Sequence, residues 1–80
     1  MSIRYGIAPM DMTLIKTFIE VAAAGSFAGA AERLYVTQSA VSLRIQRLET
    51  DLGRTLFNRS KAGAEMTSAG AEFERFAYGL

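Results

Sequence analysis

The chain has 80 residues, half of them apolar, and a net charge of +1. That is enough for one small domain with a limited core, since a 60-residue domain buries only about 60% of the surface its unfolded chain exposes and gains from a partner subunit. With no cysteine and no histidine, disulfides are excluded and the usual zinc ligands are missing; nucleophiles and general bases reduce to hydroxyls and carboxylates, with no carboxylate pair placed as a set, so no cofactor, no metal and no enzyme activity are expected. No stretch of about 18 apolar residues and no basic start followed by an apolar run is present, so neither a membrane span nor a secretory signal is expected and a cytoplasmic setting fits.

Residues 1–10 show no clear period and contain the only proline, which reads as an irregular leader, with Met10 as a second candidate start. From Met12 to Ala24 the positions Ile15, Phe18, Ile19 and Ala22 recur at the spacing of one helix face. Asp11 or Thr13 is placed to cap that helix, and Gly25 to end it. Ser26 then opens a shorter helix in which Phe27, Ala30, Ala31 and Leu34 form the apolar edge. The paired alanines allow two helices to cross closely at a steep angle.

Thr37 is the expected cap of a third helix that Gly53 stops. Val41, Ile45, Leu48 and Leu52 form a narrow stripe along it. Ser39, Leu43, Gln46 and Arg47 fall on the opposite side, and Gln38, Ser42 and Arg44 flank the stripe. Two short amphipathic helices around a tight turn, the second apolar on one side and polar or basic on the other, are what a helix-turn-helix DNA reader requires.

After Gly53 the pattern changes. Thr55 to Arg59 is compatible with a strand, Ser60 to Gly63 supply turn chemistry, and Glu65, Met66 and Thr67 alternate. Together they predict a hairpin, a wing whose tip can lie beside the DNA backbone or in the minor groove. Thr67 or Ser68 caps a last helix with Ala69, Phe73, Phe76, Ala77 and Leu80 on one face. The expected organisation is a leader over 1–10, a winged domain over 11–67, and a linker or dimerisation helix beginning over 68–80. The fold class is mainly α: a three-helix helix-turn-helix core with a small two-stranded β wing and a C-terminal helix. Val41, Ile45, Leu48, Phe18, Leu34, Phe57 and Met66 are the expected core.

Charge is unevenly spread. Residues 33–61 carry six basic side chains against two acidic ones, whereas both flanking segments are net acidic. This favours a polyanion at the reading surface. Ordinary ion pairs on a solvated face, such as Arg47 with Asp51, are the alternative.

These residues resemble the N-terminal winged helix-turn-helix domain of LysR-type bacterial transcription regulators. The resemblance runs from about Asp11 to Gly70. It rests on Phe18 with Val21, Gly25-Ser26-Phe27, Ala30-Ala31 with Leu34, Gln38 followed by Ala40-Val41-Ser42, Ile45 with Leu48-Glu49, Leu52-Gly53, Leu56-Phe57 with Arg59, and Thr67 with Ala69-Gly70. It implies a homodimer, often a dimer of dimers and hence a tetramer, binding partly palindromic double-stranded promoter DNA in a bacterial cytoplasm. It also implies a separate C-terminal domain that senses a small effector, which makes this chain read as a DNA-binding fragment. Two residues depart from the pattern: Ser39 stands where the family often has proline, and Leu43 where many members carry a polar or basic residue.

On this reading Gln38 and Ser39 reach base edges, with glutamine able to pair bidentately with adenine, or are simply first-turn polar residues. Ser42 meets a base edge, a phosphate or solvent. Arg33, Arg44 and Arg47 suit phosphates, or guanine, or acids on their own surface. Arg59 and Lys61 flank the wing turn and suit the backbone or minor groove, if the hairpin is more than an exposed turn. Ser26 and Thr37 cap helices whose N–H groups can point at phosphates. Leu43 is either an unremarked surface leucine or a contact to a thymine methyl, and stays open. Phe73, Phe76, Ala77 and Leu80 are candidates for dimerisation, because a short domain cannot easily hide all of a terminal helix face. A helical adaptor for an acidic protein is the competing reading; it would expose more apolar area than this pattern does.

Overall fold

The computed structural model describes residues 11–60 and 63–79. The leader expected over 1–10 and the roles expected of Lys61 and Leu80 lie outside them. In chain order the elements are α1 (Met12–Ala24), α2 (Phe27–Leu34), α3 (Gln38–Leu52), β1 (Phe57–Ser60), β2 (Gly63–Met66) and α4 (Ser68–Tyr78). The three-helix core, the wing and the terminal helix are thus all present.

Local chemistry sets the boundaries. Asp11, not Thr13, caps α1: its Oδ1 accepts the Thr13 N–H at 2.8 Å. Ser26 Oγ accepts the Gly29 N–H at 2.9 Å, Thr37 Oγ1 the Ala40 N–H at 3.1 Å, and Thr67 Oγ1 the Gly70 N–H at 3.0 Å. Caps of this kind are worth about 1 kcal/mol each. Gly25 and Gly53 end α1 and α3 in the left-handed conformation, at φ 73° and 68°. Helix α2 ends differently, on Tyr35 at φ 58°. A residue with a Cβ costs roughly 1–2 kcal/mol there, offset by Val36 N–H donating to the Ala31 carbonyl at 3.1 Å.

The core forms where α1, α2, α3 and the wing meet. The stripe of α3 lies inward as expected, with Val41, Ile45 and Leu48 fully buried and Leu52 half-buried. Ala30 and Ala31 are buried at the α2 crossing. On α1 the inward face is rotated from the expected one. Leu14, Ile15, Phe18 and Val21 are buried while Ile19 and Ala22 are only half-buried, because α1 packs on α2 and α3 together and not on one neighbour. Two core expectations are corrected. Leu34 is half-buried at the end of a short helix, and Met66 is 36% exposed. Met66 pairs across the hairpin with Phe57, and the larger ring takes the interior.

The chain's five phenylalanines are linked ring to ring, four of them, Phe18, Phe27, Phe57 and Phe73, buried in this core. Phe18 stacks obliquely on Phe57 at 5.2 Å and meets the edge of Phe73 at 5.0 Å; Phe27 is edge-on to Phe57 at 6.0 Å, and Phe76 lies 5.5 Å from Phe73. Such pairs contribute about 0.5–1.5 kcal/mol beyond burial. Phe73, expected at a partner contact, is therefore buried in its own domain, and so is Ala77, at 8% and 5% exposure. Phe76 remains 52% exposed on α4.

The wing is a two-stranded antiparallel hairpin with Phe57 opposite Met66, Asn58 opposite Glu65, Arg59 opposite Ala64 and Ser60 opposite Gly63. It is held from both ends. Glu49 on α3 accepts the Leu56 and Phe57 N–H groups on Oε2, at 2.8 and 3.3 Å. Thr67 donates its hydroxyl to the Thr55 carbonyl at 2.6 Å and its N–H to the Leu56 carbonyl at 2.9 Å. At the other end the Ala64 N–H donates to the Gly25 carbonyl at 3.0 Å. Gly63 permits that approach: its φ is 130°, and a Cβ there would run into the Gly25 oxygen.

Ala30→Leu is expected to overpack the helix crossing and cost about 1–3 kcal/mol in urea unfolding. Glu49→Ala removes a charged acceptor shared by two strand amides. It is expected to cost about 1.5–3 kcal/mol, with faster hydrogen exchange at Leu56 and Phe57 than at Ile45.

Candidate nucleic-acid interface

The inward stripe of α3 leaves its other flank uncovered. Gln38, Ser39, Leu43, Gln46 and Arg47 are exposed, and Ser42 and Arg44 are half-buried at the margins. Their positions follow the helical spacing, so this flank is where the sequence pattern puts it.

One margin of the flank opens into a groove of about 260 Å³ lined by Ser26, Phe27, Ala28, Gln38, Ser42, Arg59, Ser60 and Gly63. Four expected site residues from three elements thus converge: Ser26 from the start of α2, Gln38 and Ser42 from the first turns of α3, and Arg59 from the wing. The guanidinium carbon of Arg59 sits 4.3 Å from the centroid of the Phe27 ring. That cation–π contact holds the exposed Arg59 fork against the groove that both side chains line, at a gain of roughly 0.5–1 kcal/mol.

The opposite margin forms a second groove, lined by Asp11, Thr13 and Leu14 of the α1 start and by Leu43, Arg44 and Arg47. Arg44 is anchored there by Thr17, a polar side chain with no solvent exposure. Thr17 donates its hydroxyl to the Thr13 carbonyl at 2.7 Å and accepts from Arg44 Nη1 at 3.4 Å. A hydroxyl within an apolar helix face is the signal that marks Thr17, and its partner 27 positions away has no sequence signature.

The other expected site residues are distributed as follows. Thr37 is exposed at the start of α3 with its hydroxyl accepting from Ala40, and Ser39 is exposed beside it. Arg33 lines neither groove; its Nη1 pairs with Glu20 Oε1 at 3.4 Å, joining α2 to α1. The other ion pair among the described residues joins Arg54 to Glu72 at 3.7 Å, so the alternative pairing of Arg47 with Asp51 is not formed. Phe76 lies in a third groove between the end of α3, Leu56 and α4, with Leu52, Ala69 and Phe73 and with Arg54 and Glu72 at its edge. No helix among the described residues is long and apolar enough to cross a membrane.

Tyr35 was not anticipated. It is 95% exposed in the turn between α2 and α3, and nothing in its sequence neighbourhood distinguishes a left-handed tyrosine from an ordinary loop residue.

Known proteins share this arrangement. Residues 12–71 match the family described as bacterial regulatory helix-turn-helix protein, lysR family. The HTH-type transcriptional regulator HdfR of Salmonella typhimurium is 48% identical over 68 residues, covering 85% of this chain and 24% of that protein. The chain therefore spans about a quarter of the length of such relatives. The crystal structure of a CbnR_DBD-DNA complex superposes with a TM-score of 0.84 at 45% identity, covering 86% of this chain and 79% of that one. A BenM_DBD/benA site 1 DNA complex gives 0.83 at 32% identity, with 89% and 83% covered. By fold, by the spacing of its helix-turn-helix and by sequence, the chain belongs to the lysR family of bacterial regulatory helix-turn-helix proteins.

Proposed function

We propose that this domain reads double-stranded DNA in a sequence-dependent way as part of a dimeric transcription regulator, with α3 in the major groove and the β1–β2 wing along the backbone or minor groove. The observation that carries the reading is the convergence of Gln38, Ser42 and Arg59 on one groove beside the uncovered flank of α3. Base-edge donors and acceptors and a backbone-seeking cation are brought together, while the apolar stripe is spent on the core. The DNA complexes of the CbnR and BenM domains support it.

Within this reading Gln38, Ser39 and Ser42 address base edges from the N-terminal part of the helix. Arg44 and Arg47 address phosphates on the α1 side of the groove, Arg44 in the orientation its Thr17 contact gives it. Arg59 addresses the backbone or minor groove on the wing side. The capped starts of α2 and α3, at Ser26 and Thr37, aim free N–H groups at phosphates. Phe76 is the exposed ring available to a second copy. Dimerisation through α4 then has to hold two α3 helices about 34 Å apart for successive major grooves. Higher assembly to a tetramer, an effector-sensing domain elsewhere in the protein, and a cytoplasmic setting complete the proposal.

Titration of the protein with duplexes selected from a random pool, repeated over a range of salt, tests it. Affinity is expected to fall steeply with salt, as counterion release demands. An acidic protein partner in place of DNA would leave duplex binding undetectable at low salt. Gln38→Ala and Ser42→Ala are each expected to lose about 1–3 kcal/mol of discrimination between selected and scrambled duplexes, with thermal stability unchanged; equal loss on every sequence counts against base reading. Arg59→Ala should weaken binding to all duplexes alike and flatten the salt slope by about one unit. In the full-length protein Phe76→Asp should shift the sedimentation profile from dimer to monomer at low concentration, and an unchanged profile removes Phe76 from the subunit contact.

A further inference from the structure

Leu43 is the largest apolar side chain that the outward flank of α3 presents, 66% exposed among polar and basic neighbours. At helical spacing it lies about half a turn from the buried Val41, Ile45 and Leu48 stripe. It is therefore on the outermost line of the helix. Gln38 and Ser42 lie toward the wing-side groove, Arg44 and Arg47 toward the groove shared with α1, and Leu43 borders that second groove from the outermost line.

That midline position decides what Leu43 meets if α3 docks as proposed above, a reading on which this inference rests. A major groove about 12 Å wide just admits a helix; its rims are phosphates and its floor is base edges. The midline faces the floor most directly, Gln38 and Ser42 reach it from the N-terminal part of the helix on one side, and Arg44 and Arg47 face the rim on the other. On the floor guanine, adenine and cytosine present polar donors and acceptors, and thymine alone adds an apolar group, its C5 methyl. A leucine over a polar edge displaces water without replacing its hydrogen bonds, so it disfavours those bases as well as favouring thymine.

We propose that Leu43 is a specificity-determining residue that reads the C5 methyl of thymine in the half-site. Gln38 and Ser42 supply hydrogen-bond readout beside it; Leu43 supplies an apolar preference that they cannot.

The test removes the methyl alone. The full-length protein is used to select a duplex from a random pool, and each thymine of that duplex is then replaced in turn by 2′-deoxyuridine. One or two replacements are expected to weaken binding about fourfold, the worth of one buried methyl, and Leu43→Ala is expected to bind parent and replaced duplexes equally. Uracil duplexes that all bind like the parent overturn the proposal, as does a uracil penalty that survives Leu43→Ala. Dissociation of the protein by Leu43→Ala without any uracil penalty assigns the side chain to a protein contact instead. Failure to select any duplex removes the DNA-binding reading itself, whereas a selected duplex indifferent to uracil removes the role of Leu43 only.

Discussion

The burial of Phe57 is the constraint on which the rest depends. Two strands of four residues cannot stand alone in water, and the wing persists because the first residue of β1 is driven into the helical core. There its ring lies between Phe18 of α1 and Phe27 of α2. The backbone that carries Phe57 is fixed by the Glu49 carboxylate on one side and by Thr67 on the other. Ring and amides together determine where the hairpin leaves the domain, and hence where Arg59 stands relative to α3.

From that anchor the polar surface follows by division of labour. Helix α3 gives its aliphatic stripe to the interior, which commits the rest of its circumference to margins and midline. The wing closes one margin with Arg59 over Phe27, and the start of α1 closes the other with Arg44 on Thr17. Both cations are steered by contacts to neighbouring elements, and neither forms an ion pair among the described residues. Arg33, by contrast, is tied to Glu20 and stands apart from both grooves. The concentration of basic residues in the sequence therefore overstates the charge that faces the grooves.

What could be read in advance was what depends on neighbours a few positions apart. Helix periods, the caps at Asp11, Ser26, Thr37 and Thr67, and the glycine stops at Gly25 and Gly53 are local and were legible. So was the flank of α3, since a 15-residue helix with a clear stripe has only one way to face. What depends on contacts distant in the chain was not. The rotated inner face of α1 reflects packing on two helices at once, and the burial of Phe73 reflects the arrival of Phe18 beside it. Met66 and Phe57 share one face of the hairpin, and only the packed core decides which of them goes in. Tyr35 shows the limit of turn rules: the hydrogen bonds closing α2 hold a conformation that glycine or asparagine would have announced.

The Gly25 carbonyl, which takes the amide of Ala64, has a consequence for recognition. Strand β2 is hooked to the corner between the first two helices while the start of β1 is held by Glu49 of α3, so the opening between wing and α3 is set at both of its ends.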